Sequence, residues 1–222
     1  MTIYLLLIVA MMFAMWAQVN VQSTFTKYSK VKNSAGITGF DAARMILDAN
    51  GLYNVKVERV SGNLTDHYDP RTNVIRLSDA VFSANTASAI GVAAHEAGHA
   101  VQYARNYAPT KFRSAIVPAC QVGSYLSWPL ILLGIIFTIP QLAYAGVILF
   151  SLTTIFSAIT LPCEFDASSR AIKALSASGM LREDDIDAAR KTLKAAALTY
   201  VAALAVSLLQ LLRVVSMVRR ND

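Results

Sequence analysis

The sequence predicts a mainly α membrane protein, with about four transmembrane helices and a small α+β subdomain. Three observations lead there. Only 15% of the 222 residues are charged and 55% are hydrophobic, with a mean hydropathy of +0.45; soluble domains carry about 25% charged residues. Four uncharged stretches approach the ~20 apolar residues that span a bilayer. The long polar connection after the first of them carries strand and helix periodicities of its own.

The elements follow in chain order. "IYLLLIVAMMFAMWAQV" (3–19) has no charge, and no Lys or Arg precedes Lys27. Without the basic n-region of a cleaved signal peptide it reads as an uncleaved anchor. A polar connection, 20–114, comes next. Thr38, with Asp41 three residues on, has the capping-box pattern ahead of the helix "GFDAARMILDAN", which Gly51 closes. "NVKVERV" alternates with period two and predicts a strand. "SGNLTD" is a turn, and Asn73 to Leu77 is a second strand after the Asp69-Pro70 turn signal. The expected unit is a helix, a small antiparallel sheet, and a long helix from Asn85 or Thr86 to Ala104. Residues 115–161 predict a transmembrane hairpin, Ala115–Ile139 and Leu142–Leu161, turning at Pro140 and Gln141. Pro162 suits a first helical position, so 162–194 predicts a helix start, a break at Gly179, and a new helix with acids near its N-terminus. That helix leads into a C-terminal transmembrane or interfacial helix over 195–215, built on the uncharged run Ala195–Leu212.

Charge sets the orientation. Lys27, Lys30, Lys32, Arg105, Lys111 and Arg113 flank the first polar connection, and Arg170, Lys173, Arg182, Arg190, Lys191 and Lys194 occupy the second. The hairpin tip and the N-terminal end have none. The positive-inside rule therefore predicts a multi-pass cell-membrane protein with both polar connections in the cytoplasm. Arg213, Arg219 and Arg220 run against the pattern if the fourth segment crosses, so an interfacial placement also fits it. The net charge of +6 suits an anionic lipid bilayer as partner. No basic cluster interleaved with aromatics points to nucleic acid. Cys120 and Cys163 are expected as thiols on the reducing side, not as a disulfide.

"GVAAHEAGHAVQYA" (91–104) carries the chemistry: two of the chain's three histidines lie in it. His95 and His99, four apart, share one helix face, so their imidazoles can converge on one zinc at about 2.0–2.1 Å. Glu96 is rotated away from ligation and suits a general base acting on water, which is the H-E-x-x-H arrangement of zinc proteases. Gly98 costs about 1 kcal/mol of helix propensity against Ala, so a close backbone approach is expected there. This makes the subdomain zincin-like. A catalytic zinc needs a third protein ligand. His67, Glu164 and Asp166 are the candidates. The hairpin leaves and returns on one side of the membrane, which brings Glu164 back toward the end of the motif helix. There is neither an N-P-D-G ligand motif, as in intramembrane zinc proteases, nor a G-x-x-x-x-G-K-[ST] loop, as in ATP-driven ones.

"LTDHYDPRTNVIRLS", "HEAGHAVQYA" and "LPCEFDASSRA" together resemble the YugP-like neutral zinc metallopeptidases, a family of bacterial membrane proteins, from about Gly36 to Lys194. More distantly the chain is similar to HtpX-type membrane proteases. The resemblance implies one Zn2+ per chain, held by His95, His99 and Glu164, with Glu96 as general base. In the distant relatives an aspartate four residues after the ligand glutamate orients a histidine. Ser168 stands there in this chain, and Asp166 is a substitute for that role. The expected function is membrane-embedded, zinc-dependent endopeptidase action through a zinc-activated water, with proteins or peptides as substrates, membrane proteins among them. His67, Tyr103, Tyr107 and Arg170 are candidate oxyanion donors. The Asn73–Leu77 strand is expected to align the substrate by backbone pairing. The alternative is a catalytically inactive zinc-binding membrane scaffold, against which stands the lack of the four-ligand, cysteine-rich set of structural zinc sites.

Overall fold

A computed structural model describes residues 2–220. In chain order the elements are α1 (Thr2–Tyr28), α2 (Gly39–Ala49), β1 (Lys56–Val60), β2 (His67–Asp69), β3 (Val74–Ser78), α3 (Asp79–Phe82), α4 (Ala87–Ala104), α5 (Ala108–Ile136), α6 (Pro140–Ala177) and α7 (Glu183–Arg219). The protein is a mainly α membrane protein. Helices α1, α5, α6 and α7 are each long and apolar enough to cross a bilayer. The chain divides into two compact units.

The first unit takes in Met1–Ala17, Ala108–Pro162 and Thr199–Asp222. Its surface is apolar. Leu5, Met15, Trp16, Tyr125, Ile136 and Ile148 are all more than half exposed, as expected of side chains that meet lipid rather than water. Its interior is small, with Ile131, Ala143, Val147, Val214 and Val218 forming one buried cluster. Small residues let α5 and α6 approach: a Cβ on Gly146 would meet the Ser127 carbonyl oxygen at 2.7 Å. Pro118 and Pro129 lie inside α5, where the helix tolerates them as membrane helices do.

Gln18–Tyr107 and Cys163–Leu198 form the second unit, which contains His95, His99 and Glu164. Helix α2 starts with the predicted capping box: Thr38 Oγ1 accepts from the Asp41 N–H, and the Asp41 side chain accepts from the Thr38 N–H at 2.8 Å. Gly51 takes φ +72° just past its end, where L side chains are strained. Thr86 caps α4. The alanine-rich face of α4 packs into a core with Leu47, Ile75, Leu77 and Val81, all fully buried. Each such large side chain contributes about 1.5–3 kcal/mol of burial.

Two expectations are corrected. The sheet is not simply antiparallel. Its order is β1-β3-β2, with β1 parallel to β3 in the register Lys56↔Val74 and β2 antiparallel to β3 in the register His67↔Arg76. The three residues of β2 are too few to show an alternation, so the strand that completes the sheet was hidden beside a turn. Pro162 does not begin a helix. It lies inside α6, which runs unbroken from the apolar segment to Ala177. A proline at the first position and one in the interior look alike in sequence. Here the residues that follow are held helical by packing against α4, while Gly179 (φ +65°) ends the run as expected. Helix α7 opens on Glu183, Asp184 and Asp185, acids that suit the positive end of the helix dipole.

Candidate metal centre

Helix α4 sets the first half of the site. His95 and His99, one turn apart, place their rings edge to face with centroids 4.7 Å apart. Gly98, between them, faces α6. A Cβ there would lie 2.6 Å from the Ala167 carbonyl oxygen, so glycine is what lets the two helices touch. That contact brings Glu164 over the histidine pair. Glu164 is 2% exposed. Its Oε2 stands 3.2 Å from His95 Nε2 and 3.5 Å from His99 Nε2.

The outer imidazole nitrogens are also held. His95 Nδ1 is 3.2 Å from Ser168 Oγ, and His99 Nδ1 is 3.0 Å from Gln102 Oε1. Gln102 is fully buried, and its amide nitrogen donates to the Cys163 carbonyl (2.7 Å) and to Asp166 Oδ2 (2.8 Å). With the nitrogen so engaged, the amide oxygen must be the atom facing His99. It accepts the Nδ1–H and leaves the Nε2 lone pair directed at Glu164. Arg170 Nε donates to the same Asp166 oxygen at 2.6 Å, and its guanidinium lies over the Tyr107 ring. A chain of contacts thus runs from Tyr107 through Arg170, Asp166 and Gln102 to His99.

Burial by itself would lower the His99 pKa. The Glu164 hydrogen bond, the Glu96 and Glu164 charges and the Gln102 hydrogen bond outweigh it and raise the value. Glu96 is only 9% exposed on α4. Its charge is also felt at Asp66, whose carboxyl is pushed up chiefly by burial although the Ser78 N–H donates to it at 2.7 Å.

The expected residues sort as follows. His95, His99 and Glu164 form one group whose ligand atoms all lie within 4.8 Å of one another. Their chemistry fits zinc: two nitrogens and one carboxylate oxygen make the donor set of a catalytic site that leaves a position open. His67 is not part of that group. It sits exposed on β2, with Nδ1 2.7 Å from the Thr65 carbonyl. Asp166 also lies outside that group, and its carboxylate accepts from Gln102 instead. Ser168, four residues after Glu164, meets His95 with a hydroxyl. The Cys163 side chain is outside the group, and neither Cys163 nor Cys120 forms a disulfide. Tyr103 stacks edge to face with Tyr68 at 5.6 Å. The strand at 74–78 is central in the sheet, with both edges already paired, so it cannot take up a substrate strand. Gln102 was missed in the sequence. Its one signal was position: a polar side chain three residues after His99, on a helix otherwise rich in alanine.

The family model described as "Putative neutral zinc metallopeptidase" matches residues 3–219. The chain is 48% identical, over 210 residues, to the "Putative membrane protease YugP" of Bacillus subtilis (strain 168), covering 95% of this chain and 93% of that protein. No solved structure matches.

Proposed function

The chain belongs to the putative neutral zinc metallopeptidase family, and from that premise we propose that it is a membrane-embedded zinc endopeptidase whose metal is held by His95, His99 and Glu164. One observation carries the reading: both histidine Nε2 atoms converge on a single buried carboxylate oxygen, at 3.2 and 3.5 Å. Two imidazoles turned toward one oxygen by acceptors behind them are poised to share a cation.

Zinc, when bound, supplies the Lewis acidity that makes water a nucleophile near neutral pH and polarises a peptide carbonyl. The protein's own residues do the rest. Glu96 accepts the proton of the attacking water at its carboxylate and passes it to the leaving amine. Its partial burial keeps that carboxylate out of bulk solvent. Ser168 and Gln102 hold the imidazoles in the tautomer that presents Nε2. The outer edge of β2, left unpaired by the sheet order β1-β3-β2, is where an extended peptide can add by backbone pairing. The distribution of Lys and Arg supports a multi-pass arrangement with this unit on the cytoplasmic side. Loops and ends of membrane proteins are then the natural substrates.

Metal analysis beside peptide cleavage tests the reading. Purified native protein is expected to hold about one zinc per chain, as a three-ligand catalytic site does, and to cleave. Glu96→Gln keeps the zinc and loses cleavage. Glu164→Ala loses the zinc, while His67→Ala keeps it. Full cleavage by Glu96→Gln would sink the mechanism. Zinc held by a native chain that cleaves nothing would point to a scaffold instead.

A further inference from the structure

We propose that the groove between the second half of α6 and the first half of α7 binds an anionic phospholipid of the surrounding leaflet. The groove has a volume of about 490 Å3. Its walls are apolar, formed by Phe165, Ile172, Leu193, Ala197 and Leu198. Phe165 is 48% exposed within it. Three cations, Lys173, Arg190 and Lys194, also line it, and no acidic residue does. Arg190 is already engaged by Glu183 at 3.8 Å and by Asp187. Lys173 and Lys194 have neither an ion pair nor a hydrogen bond among the described residues.

An apolar slot flanked by two unneutralised ammonium groups fits an amphiphile with a negative head. A wholly apolar ligand leaves the lysines unanswered, and a soluble anion leaves the slot unfilled. The chain itself favours a lipid as the source. Lys194 is the last charge before the uncharged run that begins at Ala195, and the groove continues past it to Ala197 and Leu198. On α6, Phe165 follows Leu161, the end of the other apolar segment, by about one helical turn. Both helices therefore pass from apolar to polar along the groove. Basic pockets on the cytoplasmic side of membrane helices recognise anionic headgroups in this way. The inference goes beyond the peptidase reading and does not depend on it.

Native mass spectrometry of the full-length protein in detergent tests it, with dioleoyl-phosphatidylglycerol and dioleoyl-phosphatidylcholine titrated separately. We expect the anionic lipid to be retained at low lipid ratio and the zwitterionic one not. At about fivefold per lysine, the double variant Lys173→Gln/Lys194→Gln weakens retention roughly twenty-five-fold. Ala197→Trp, which fills the slot and keeps both lysines, also abolishes it. Lys30→Gln/Lys32→Gln leaves it unchanged. Far-ultraviolet circular dichroism and the thermal unfolding transition check that each variant is folded, and the Lys173/Lys194 pair decides the matter if the tryptophan variant is not. Equal retention of the two lipids, or undiminished binding in the folded lysine variant, overturns the proposal. So does a dimer that Ala197→Trp dissociates while lipid retention is unaffected.

Discussion

Behind each imidazole stands a different acceptor, and the difference has consequences. His95 leans on a single hydroxyl, Ser168, at 3.2 Å. His99 leans on Gln102, itself fixed by Cys163 and Asp166. Loss of such an orienting partner costs about 10–100-fold in metal affinity. Ser168→Ala should fall near the lower end and Gln102→Ala near the upper, measured by competition with a zinc chelator. Protons compete for the same nitrogens. In the metal-free protein the His99 pKa is raised against the opposing pull of burial. A raised folded value means stabilisation that is complete below the unfolded pKa of about 6.5 and is lost as pH rises through the folded value. Chelator-treated protein should therefore lose part of its thermal stability between mildly acidic and mildly alkaline pH. Zinc affinity should move the other way and fall on acidification, because the metal must displace that proton. A metal-free stability that rises over the same interval would contradict the pairing. The pairing of His95 with His99 was legible because their spacing is itself a chemical statement. Gln102 was not, since its place three residues after His99 does not disclose a role until its partners, more than sixty positions away, are known.

The decisive contact between elements is the crossing of α4 and α6 at Gly98. An added methyl there would press on the Ala167 carbonyl at 2.6 Å, and a backbone atom cannot rotate away. Gly98→Ala should cost about 1–3 kcal/mol through overpacking. It should also weaken zinc binding, because the helix that moves is the one bearing Glu164. Gly179→Ala is the comparison. It meets nothing within 4 Å but keeps φ +65°, so it should lower the melting temperature modestly and leave zinc untouched. Equal zinc affinity in the two variants would show that the crossing does not position the carboxylate. Local signals served well for single elements. Thr38 and Thr86 marked helix starts, and the glycine in the motif announced a close neighbour. Pairing was less readable. Nothing in the period-two pattern of β1 tells whether its partner runs parallel, and Pro162 obeyed packing rather than its own preference.

For the molecule as a whole, the four apolar helices were legible from composition, and the course of the chain supplies a test of topology. The hairpin turn near Thr138, which has φ +56°, and the turn at Ser178 to Gly179 are predicted to face opposite sides of the membrane. In a background lacking Cys120 and Cys163, Thr138→Cys should react with an impermeant maleimide in intact cells. Ser178→Cys should react only after lysis. The reverse pattern would place the metal-binding unit outside. What composition did not convey is which parts of the long helices belong to which compact unit, because α1, α6 and α7 each change allegiance without a break in the helix.

The separation of His95 from Glu164 by 69 positions also orders events in time. A ribosome exposes the histidine pair well before it has made the carboxylate, and most of what lies between is the apolar hairpin. A nascent or truncated chain that stops short of Glu164 carries the recognisable motif but only two of the three donors. If His95, His99 and Glu164 are the ligands, competence to hold metal should arise only after the hairpin has been synthesised. On the proposed ligand set a chain cut short before Glu164 should bind no zinc and cleave nothing, so that finishing the hairpin would itself act as the activation step.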